Sequence, residues 1–249
     1  MENVNAAMAK ASVLVEALPY IQDFSGSVVL IKLGGSVMEI EANLDSLMDD
    51  VAFMRSVGIK VVIVHGGGKA ISKAIKSSGH QPQFLEGLRV TDEVTMEIVR
   101  HTLNNVVNPD LVSRLQKRRT NARPLHGNWL FSAKKITNPD RGYVGQVVSV
   151  DIRAVMEMID AGIVPVVTPL GTGVDDQHLY NINADFAAAA LAKALKVRKF
   201  ALVSDVPGLL KNPEDPSTLL STLHLSDIDS LKNDGTISGG MLPKICSCE

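Results

Sequence analysis

A chain of 249 residues, 45% of them hydrophobic, can bury the core of one large or two small domains. Its formal charge of −2 gives no basic excess for nucleic acid or an anionic membrane surface, and no apolar run reaches the ~18 residues of a membrane span. Cys246 and Cys248, the only cysteines, are too few and too close for a disulfide framework, and the N-terminus lacks a secretory pattern, so a small ligand and a cytoplasmic setting are expected.

In chain order, Asn5 to Leu18 predicts a helix ending at Pro19, whose apolar stripe (Val4, Met8, Ala11, Val15, Leu18) must pack on its own domain or on another subunit. Ser27 to Leu33 is apolar except for Lys32 and reads as a buried strand running into Gly34-Gly35-Ser36. Lys32 can snorkel to solvent or neutralise phosphate oxygens at that bare turn, and the local sequence supports both. Ile40 to Val57 shows helical spacing at Leu44, Leu47, Val51 and Met54, with Gly58 as its stop. Val61 to Val64 is then a strand with no polar face, as in a parallel sheet covered on both sides, and it stops abruptly at His65-Gly66-Gly67-Gly68. This strand-helix-strand unit implies parallel strands, so both glycine loops open at the sheet edge where such folds bind ligands. Glycines there either serve a tight turn or bring bare N–H groups to an anion at a helix start.

Ala70 to Ser78 predicts a helix ended by Gly79. After Gly87-Leu88-Arg89-Val90, Thr91 is expected to cap a helix from Glu93 to Asn105; Arg89 can fork onto a ligand carboxylate or pair with a structural acid. An amphipathic helix follows from Pro109 to Thr120. Residues 121–150, broken by Gly127, Pro139, Gly142 and Gly145, predict hairpins and loops. A helix over Val155 to Ala161 precedes an apolar strand from Ile163 that ends in Gly171-Thr172-Gly173. Tyr180 to Asp185 leads into an alanine-rich helix to Leu195. Asn181, Asn183 and Asp185 cannot all be its one cap, so at least one is available to a ligand. A strand at Lys199 to Val203, a loop at Asn212 to Ser217 and a short helix at Ser226 to Lys232 complete an alternation that argues for an α/β sandwich. Near the end, Gly239, Gly240 and Lys244 either flank phosphates or form a flexible tail.

Common nucleotide fingerprints are absent: Gly68-Lys69 is followed by Ala70, and no G-x-G-x-x-G follows the first strand. Glycine turns with Lys32, Lys244, Arg89 and Asp185 suit phosphoryl transfer, where positioning and charge neutralisation dominate. Taken in order, Lys32-Leu33-Gly34-Gly35, His65-Gly66-Gly67-Gly68, Gly87-Leu88-Arg89-Val90-Thr91, Asn181-Ile182-Asn183-Ala184-Asp185, Ser204-Asp205-Val206-Pro207-Gly208 and Gly239-Gly240-Met241-Leu242-Pro243-Lys244 resemble the motif set of the amino-acid kinase superfamily. The third and fourth elements are similar to the N-acetylglutamate kinase family in particular.

That resemblance implies a three-layer αβα sandwich with a mainly parallel central sheet. It divides the chain into an N-terminal helix extension (1–24), a lobe for N-acetyl-L-glutamate (25–195) and an ATP-binding lobe (196–249). The implied reaction is ATP-dependent phosphorylation, with Mg²⁺, of the side-chain carboxylate of N-acetyl-L-glutamate in arginine biosynthesis. Carried over by position, Lys32 and Lys244 neutralise the transferring phosphoryl group and Asp185 orients them. Gly34 and Gly35 donate N–H groups to phosphates. Gly67, Gly68, Arg89 and Asn181 bind acetylglutamate, with Arg89 on its α-carboxylate. Asp205, Val206, Pro207, Gly208, Leu209, Leu210, Thr236, Ile237 and Ser238 contact the adenine nucleotide, and no residue is assigned to a protein-held metal. A glutamate carboxylate, with a pKa near ~4.3, is already ionised at neutral pH, so the reaction needs no general base.

The stretch Val15 to Ile21 is similar to the extra helix of arginine-inhibited, hexameric members, which implies a homo-oligomer (a dimer, or a hexamer through that helix) with L-arginine as an effector; neither nucleic acid nor a membrane is expected as a partner. Two departures stand out. Pro124-Leu125-His126-Gly127-Asn128-Trp129 replaces a Gly-Leu-Ser-Gly-Lys-Asp type stretch, and the sequence ends at Glu249 where relatives continue, so the ATP lobe is expected to be truncated. A catalytically impaired homologue acting as an acetylglutamate or arginine sensor, and a sister kinase with another acceptor, are the competing readings.

Overall fold

The computed structural model describes residues 2–35, 37–237 and 241–246. In chain order, α1 (Glu2–Phe24), β1 (Val28–Leu33), α2 (Glu41–Ser56), β2 (Lys60–His65) and α3 (Gly68–Ser77) are followed by a short hairpin, β3 (Phe84–Leu85) and β4 (Leu88–Arg89). Next come α4 (Glu93–His101), a π-helical turn (Thr102–Val107), α5 (Asn108–Lys117), β5 (Ala122–Leu125), β6 (Phe131–Thr137), β7 (Asp140–Val150) and α6 (Arg153–Asp160). Then follow β8 (Val164–Val167), β9 (Leu170–Gly173), β10 (Leu179–Asn181), α7 (Ala184–Leu195), β11 (Lys199–Val203), α8 (Ile228–Asn233) and α9 (Met241–Cys246).

The main sheet has the order β11-β1-β2-β8-β5, and every neighbouring pair is parallel. Successive side chains of a strand point to opposite faces. Val29, Ile31 and Leu33 of β1, with Val61 and Ile63 of β2, pack against α2 and α5 through Leu44, Met48, Val51, Leu111 and Leu115. Leu30, Val62 and Val64 face the other way, onto Val155 and Ile159 of α6 and Ala187, Ala188 and Leu191 of α7. This is the expected αβα sandwich. Strand parity also places two polar residues: Lys32 shares the face of Leu30 and therefore meets α7, while His65 shares the face of Ile63 and meets the start of α5.

Strands β6, β7, β9 and β10 close into a small barrel. The hairpin expected within 121–150 is therefore present, but Leu170–Gly173 is a separate strand of this barrel rather than the end of β8. Pro169 has no N–H for the main ladder, and the chain leaves the sheet there.

Two helix ends differ from expectation. Helix α1 continues through Pro19 to Phe24. Its distal end is docked: Phe24 packs against the core beneath β1, and Arg198 lies 4.3 Å over its ring while pairing with Asp23. Those contacts outweigh one missing backbone bond. The cap of α4 is Asp92, whose carboxylate accepts from the Thr95 N–H at 2.8 Å. Thr91 is fully buried, and its hydroxyl donates to the Arg89 carbonyl at 3.0 Å.

Residues 204–237 and 241–246 carry only short helices and one isolated bridge, Leu210 to Leu219, around a small apolar cluster of Leu209, Ile228 and Ile237. Among the described residues no helix is long and apolar enough to cross a membrane.

Candidate active site

The cleft lies at the carboxyl ends of β1 and β2. Strand β1 is flanked by β2 on one side and β11 on the other, so the direction of winding reverses there and opens a crevice. The glycine turns extend the ladders past the strands: Gly34 N–H donates to the Val203 carbonyl at 3.0 Å and Gly66 N–H to the Leu33 carbonyl at 2.9 Å. The turns lie almost against each other. A Cβ on Gly35 would stand 3.4 Å from the Gly68 nitrogen, and one on Gly67 would stand 2.7 Å from Leu103 Cδ2. Side chains at these positions would fill the cleft, which has a volume of about 400 Å³.

Seven of the residues singled out from the sequence line this space together: Lys32, Gly35, Gly67, Gly68, Arg89, Asn181 and Asp185. Lys32 Nζ stands 2.7 Å from Asp185 Oδ1, with only 8% and 10% of the two side chains exposed. The approach is a charge contact, since Asp185 Oδ1 makes no hydrogen bond of acceptable angle. Asp185 occupies the first turn of α7, where the helix dipole favours a carboxylate. The cap of that helix is Asn183, whose side chain accepts from Asp185 N–H at 2.8 Å. Asn181 therefore remains for the cleft, with its Nδ2 donating to Thr91 Oγ1 at 3.3 Å.

Arg89 is 7% exposed, and among the described residues it has no carboxylate partner. Its Nη2 donates to the Gly68 carbonyl at 2.8 Å and to Ser72 Oγ at 2.9 Å, and its guanidinium lies 4.6 Å over the Phe84 ring. Nη1 is buried without a partner. Burial lowers the pKa of this guanidinium, and arginine nevertheless stays cationic. A buried cation with unspent donors, facing a cleft, calls for an anion.

His65 forms the wall behind the triple glycine. It is fully buried, and desolvation pulls its imidazole down to about 4, so it is neutral near pH 7. Nδ1 lies 2.8 Å from the Gly66 carbonyl, and Nε2 lies 3.0 Å from Asn108 Nδ2, which also donates to the Val166 carbonyl at 2.7 Å. With Nδ1–H donating and Nε2 accepting, the neutral ring ties the glycine turn to α5 and β8.

Asn183 lines the cleft too, as the helix cap, whereas the other positions given a role by the family resemblance lie outside the lining. Gly34 abuts it, since a Cβ there would be 3.9 Å from Lys32 Nζ. Asp205, Val206 and Pro207 are exposed just beyond β11, with Gly208 and Leu210 half-buried. Leu209 and Ile237 are buried in the small apolar cluster, and Thr236 N–H donates to Asp234 at 2.9 Å. Lys244 is half-buried on α9, which packs against α7. Ser238, Gly239 and Gly240 lie outside the described residues.

Sequence reasoning missed Lys69, Ser72 and Phe84, which also line the cleft. Ser72 lies four residues after Gly68 on α3, hence on the same helix face, a signal that was available. Phe84 pairs across the hairpin with Arg89, which the Glu86-Gly87 turn did not advertise. Lys69 is ion-paired with Glu39.

The sequence matches the amino acid kinase family over residues 27–248. It is 43% identical over 242 residues to the acetylglutamate kinase of Clostridium beijerinckii, covering 96% of this chain and 85% of the relative. It is 44% identical to the acetylglutamate kinase of Caldanaerobacter subterraneus subsp. tengcongensis, covering 99% of this chain and 83% of that one. Among solved structures, the protein smu.665 from Streptococcus mutans superposes with a TM-score of 0.77 at 28% identity, covering 88% of each chain. The chain belongs to the amino acid kinase family, in its acetylglutamate kinase branch.

Proposed function

We propose that the protein transfers the γ-phosphoryl group of ATP to the side-chain carboxylate of N-acetyl-L-glutamate, giving N-acetylglutamyl phosphate in arginine biosynthesis. The observation that carries this reading is Arg89: a buried guanidinium with an unpartnered Nη1, facing the same 400 Å³ space as the Lys32–Asp185 pair. The acetylglutamate kinase relatives supply the acceptor's identity, and the cleft supplies the chemistry it requires.

In this reading Arg89 takes the α-carboxylate, with Asn181 and the backbone at Gly67 and Gly68 completing the acceptor site. The side-chain carboxylate, already ionised, attacks the γ-phosphorus; the bond from that phosphorus to the bridging oxygen breaks, and ADP leaves with the electron pair. No proton has to move. The obstacle is the meeting of two anions, which Lys32, Lys244 and the Gly35 N–H offset while Asp185 fixes the lysine. The Gly34 N–H, expected from the resemblance to donate to phosphate as well, is instead spent on the Val203 carbonyl at 3.0 Å, so Gly34 contributes a close-packed turn. The nucleotide is assigned to the segment after β11, Asp205 to Leu210, with Thr236, Ile237 and Ser238. Because the side chains of Leu209 and Ile237 are committed to an apolar cluster, these two positions would contact it through their backbone. Mg²⁺ is assigned to the ATP phosphates, where it would offset their negative charge.

The lobes proposed are 25–195 for the acceptor and 196–249 for ATP, with 1–24 as a helical extension. Helix α1 exposes Met8, Leu14, Val15 and Tyr20, each at least 65% exposed, which supports assembly with further copies through this helix, as a dimer or hexamer. A cytoplasmic location and control by L-arginine belong to the same proposal. The test is hydroxylamine trapping of the acyl phosphate with ATP and acetylglutamate. Wild type should give the hydroxamate, and Lys32→Ala should lower the rate by about 10²–10³-fold. A wild-type protein that gives none with acetylglutamate but does so with another carboxylate would overturn the acceptor assignment.

A further inference from the structure

We infer that Arg141, on β7 and outside the cleft, is a positioning residue for the acceptor side, acting through the β3–β4 hairpin on Arg89. This rests on the acceptor role proposed for Arg89. The hairpin consists of two residues on each side of a Glu86-Gly87 turn, both with positive φ (50° and 78°), the geometry of a type I′ turn. So short a ribbon is marginal on its own. Its apolar residues anchor it only weakly, since Phe84 is 58% exposed, Leu85 is 39% exposed and Leu88 is only half-buried. Yet it carries the pair that faces the ligand, Arg89 and Phe84.

What grips the hairpin is Arg141. Its side chain is 4% exposed, an unusual fate for an arginine, and its head spans three acceptors. Nε donates to the Leu85 carbonyl at 3.0 Å, Nη1 to the Pro139 carbonyl at 3.0 Å, and Nη2 to the Glu86 carboxylate. The fork therefore holds the hairpin at its tip, opposite the end where Arg89 enters the cleft. The backbone fastens that second end: Thr91 N–H donates to the Arg141 carbonyl at 2.8 Å, and Tyr143 N–H to the Thr91 carbonyl at 2.6 Å. Gly142 lets the chains approach this closely, with φ +75° and no room for a Cβ beside the Thr91 carbonyl. Tip and root are thus both pinned to one strand, and the guanidinium of Arg89 is aimed by a residue more than fifty positions away.

The test pairs kinetics with hydrogen exchange on the full chain. In Arg141→Leu, the KM for acetylglutamate should rise by ~10-fold or more, with kcat and the KM for ATP within about twofold of wild type. Arg141→Lys, which keeps the charge but cannot span three oxygens, should fall between the two. Glu86→Ala, an exposed change that removes a single acceptor, should raise the acetylglutamate KM by ~3-fold and guards against a misfolded Arg141 variant. Amide exchange over residues 84–90 should accelerate in Arg141→Leu while that of β1 and β2 stays unchanged. Unchanged exchange over 84–90, or equal rises in both KM values, would overturn the inference. If wild type does not use acetylglutamate, the proposed function fails on its own, and the exchange data still decide whether Arg141 holds the hairpin.

Discussion

In residues 28–203, the buried ionisable groups in and behind the cleft are held by partners distant in sequence: Lys32 by Asp185, Arg89 by Gly68 and Ser72, His65 by Asn108. Residues 204–237 and 241–246 instead rest mainly on one small apolar cluster between short helices, with α9 also packed against α7. The contrast has a physical reading. Burying a charge or an imidazole is tolerable only where many neighbours supply hydrogen bonds, so the first region is over-determined; a region with few buried contacts opens locally at low cost. The proposed acceptor site is thus built before ligand arrives, while the proposed nucleotide segment has stability to gain from its ligand.

The strongest test of the contrast is Gly127→Ala. Gly127 lies in the segment where β5 meets the barrel, and a Cβ there would overlap the Thr168 carbonyl and stand 2.7 Å from the Leu170 carbonyl, both backbone atoms that cannot swing aside. A loss of about 3–5 kcal/mol in urea unfolding is expected; a loss below ~1 kcal/mol would mean that the first region is as yielding as the second.

Acid provides the next test. His65 titrates near 6.5 when unfolded and at about 4 when folded. Between these values the unfolded chain binds a proton that the native one refuses, so stability falls as pH drops from 6.5 towards 4 and is restored as pH rises. The full effect amounts to roughly 3 kcal/mol. His65→Gln cannot titrate and should flatten that slope; an equally steep slope in the variant would place the proton elsewhere.

The smallest expected change in global stability comes from Ile228→Ala. A truncation in an ordinary core costs ~2–5 kcal/mol. Here the main unfolding transition should move by less than ~0.5 kcal/mol, because the cluster around Ile228 can open by itself, while the KM for ATP rises by ~3-fold or more. A full-sized fall in the main transition would join the two regions into one cooperative unit.

What the sequence disclosed, and what it concealed, follows the range of the interactions involved. Runs such as Val61 to Val64 announce a buried parallel strand because every residue there must be apolar. Lys32 and Asp185 were legible as exceptions, a charge in a strand and one polar group too many at a helix start. By contrast, the barrel formed by β6, β7, β9 and β10 depends on pairings up to tens of residues apart, and Leu170–Gly173 looked locally like the end of β8. The continuation of α1 past Pro19 depends on Arg198, and no local rule could anticipate it. Arg141 carried no signal at all, since its partners Leu85 and Glu86 lie 56 and 55 residues away.

The π-helical turn at Thr102–Val107 sets the relation between two cores. Met96 and Val99 before it, and Leu103 at its start, face the cleft side with Ile71 and Ile75; after it, Leu111, Val112 and Leu115 face the main sheet. A π turn inserts one extra residue into the helical repeat, and each residue of an α-helix advances the azimuth by about 100°. The turn therefore works as a phase shifter within one rod. Removing a residue there would let the rod run as uninterrupted α-helix, but it would swing the apolar face of α5 off the sheet or carry Leu103 away from Gly67. The irregular turn is what allows a single helix to roof the cleft at one end and to cover the sheet at the other.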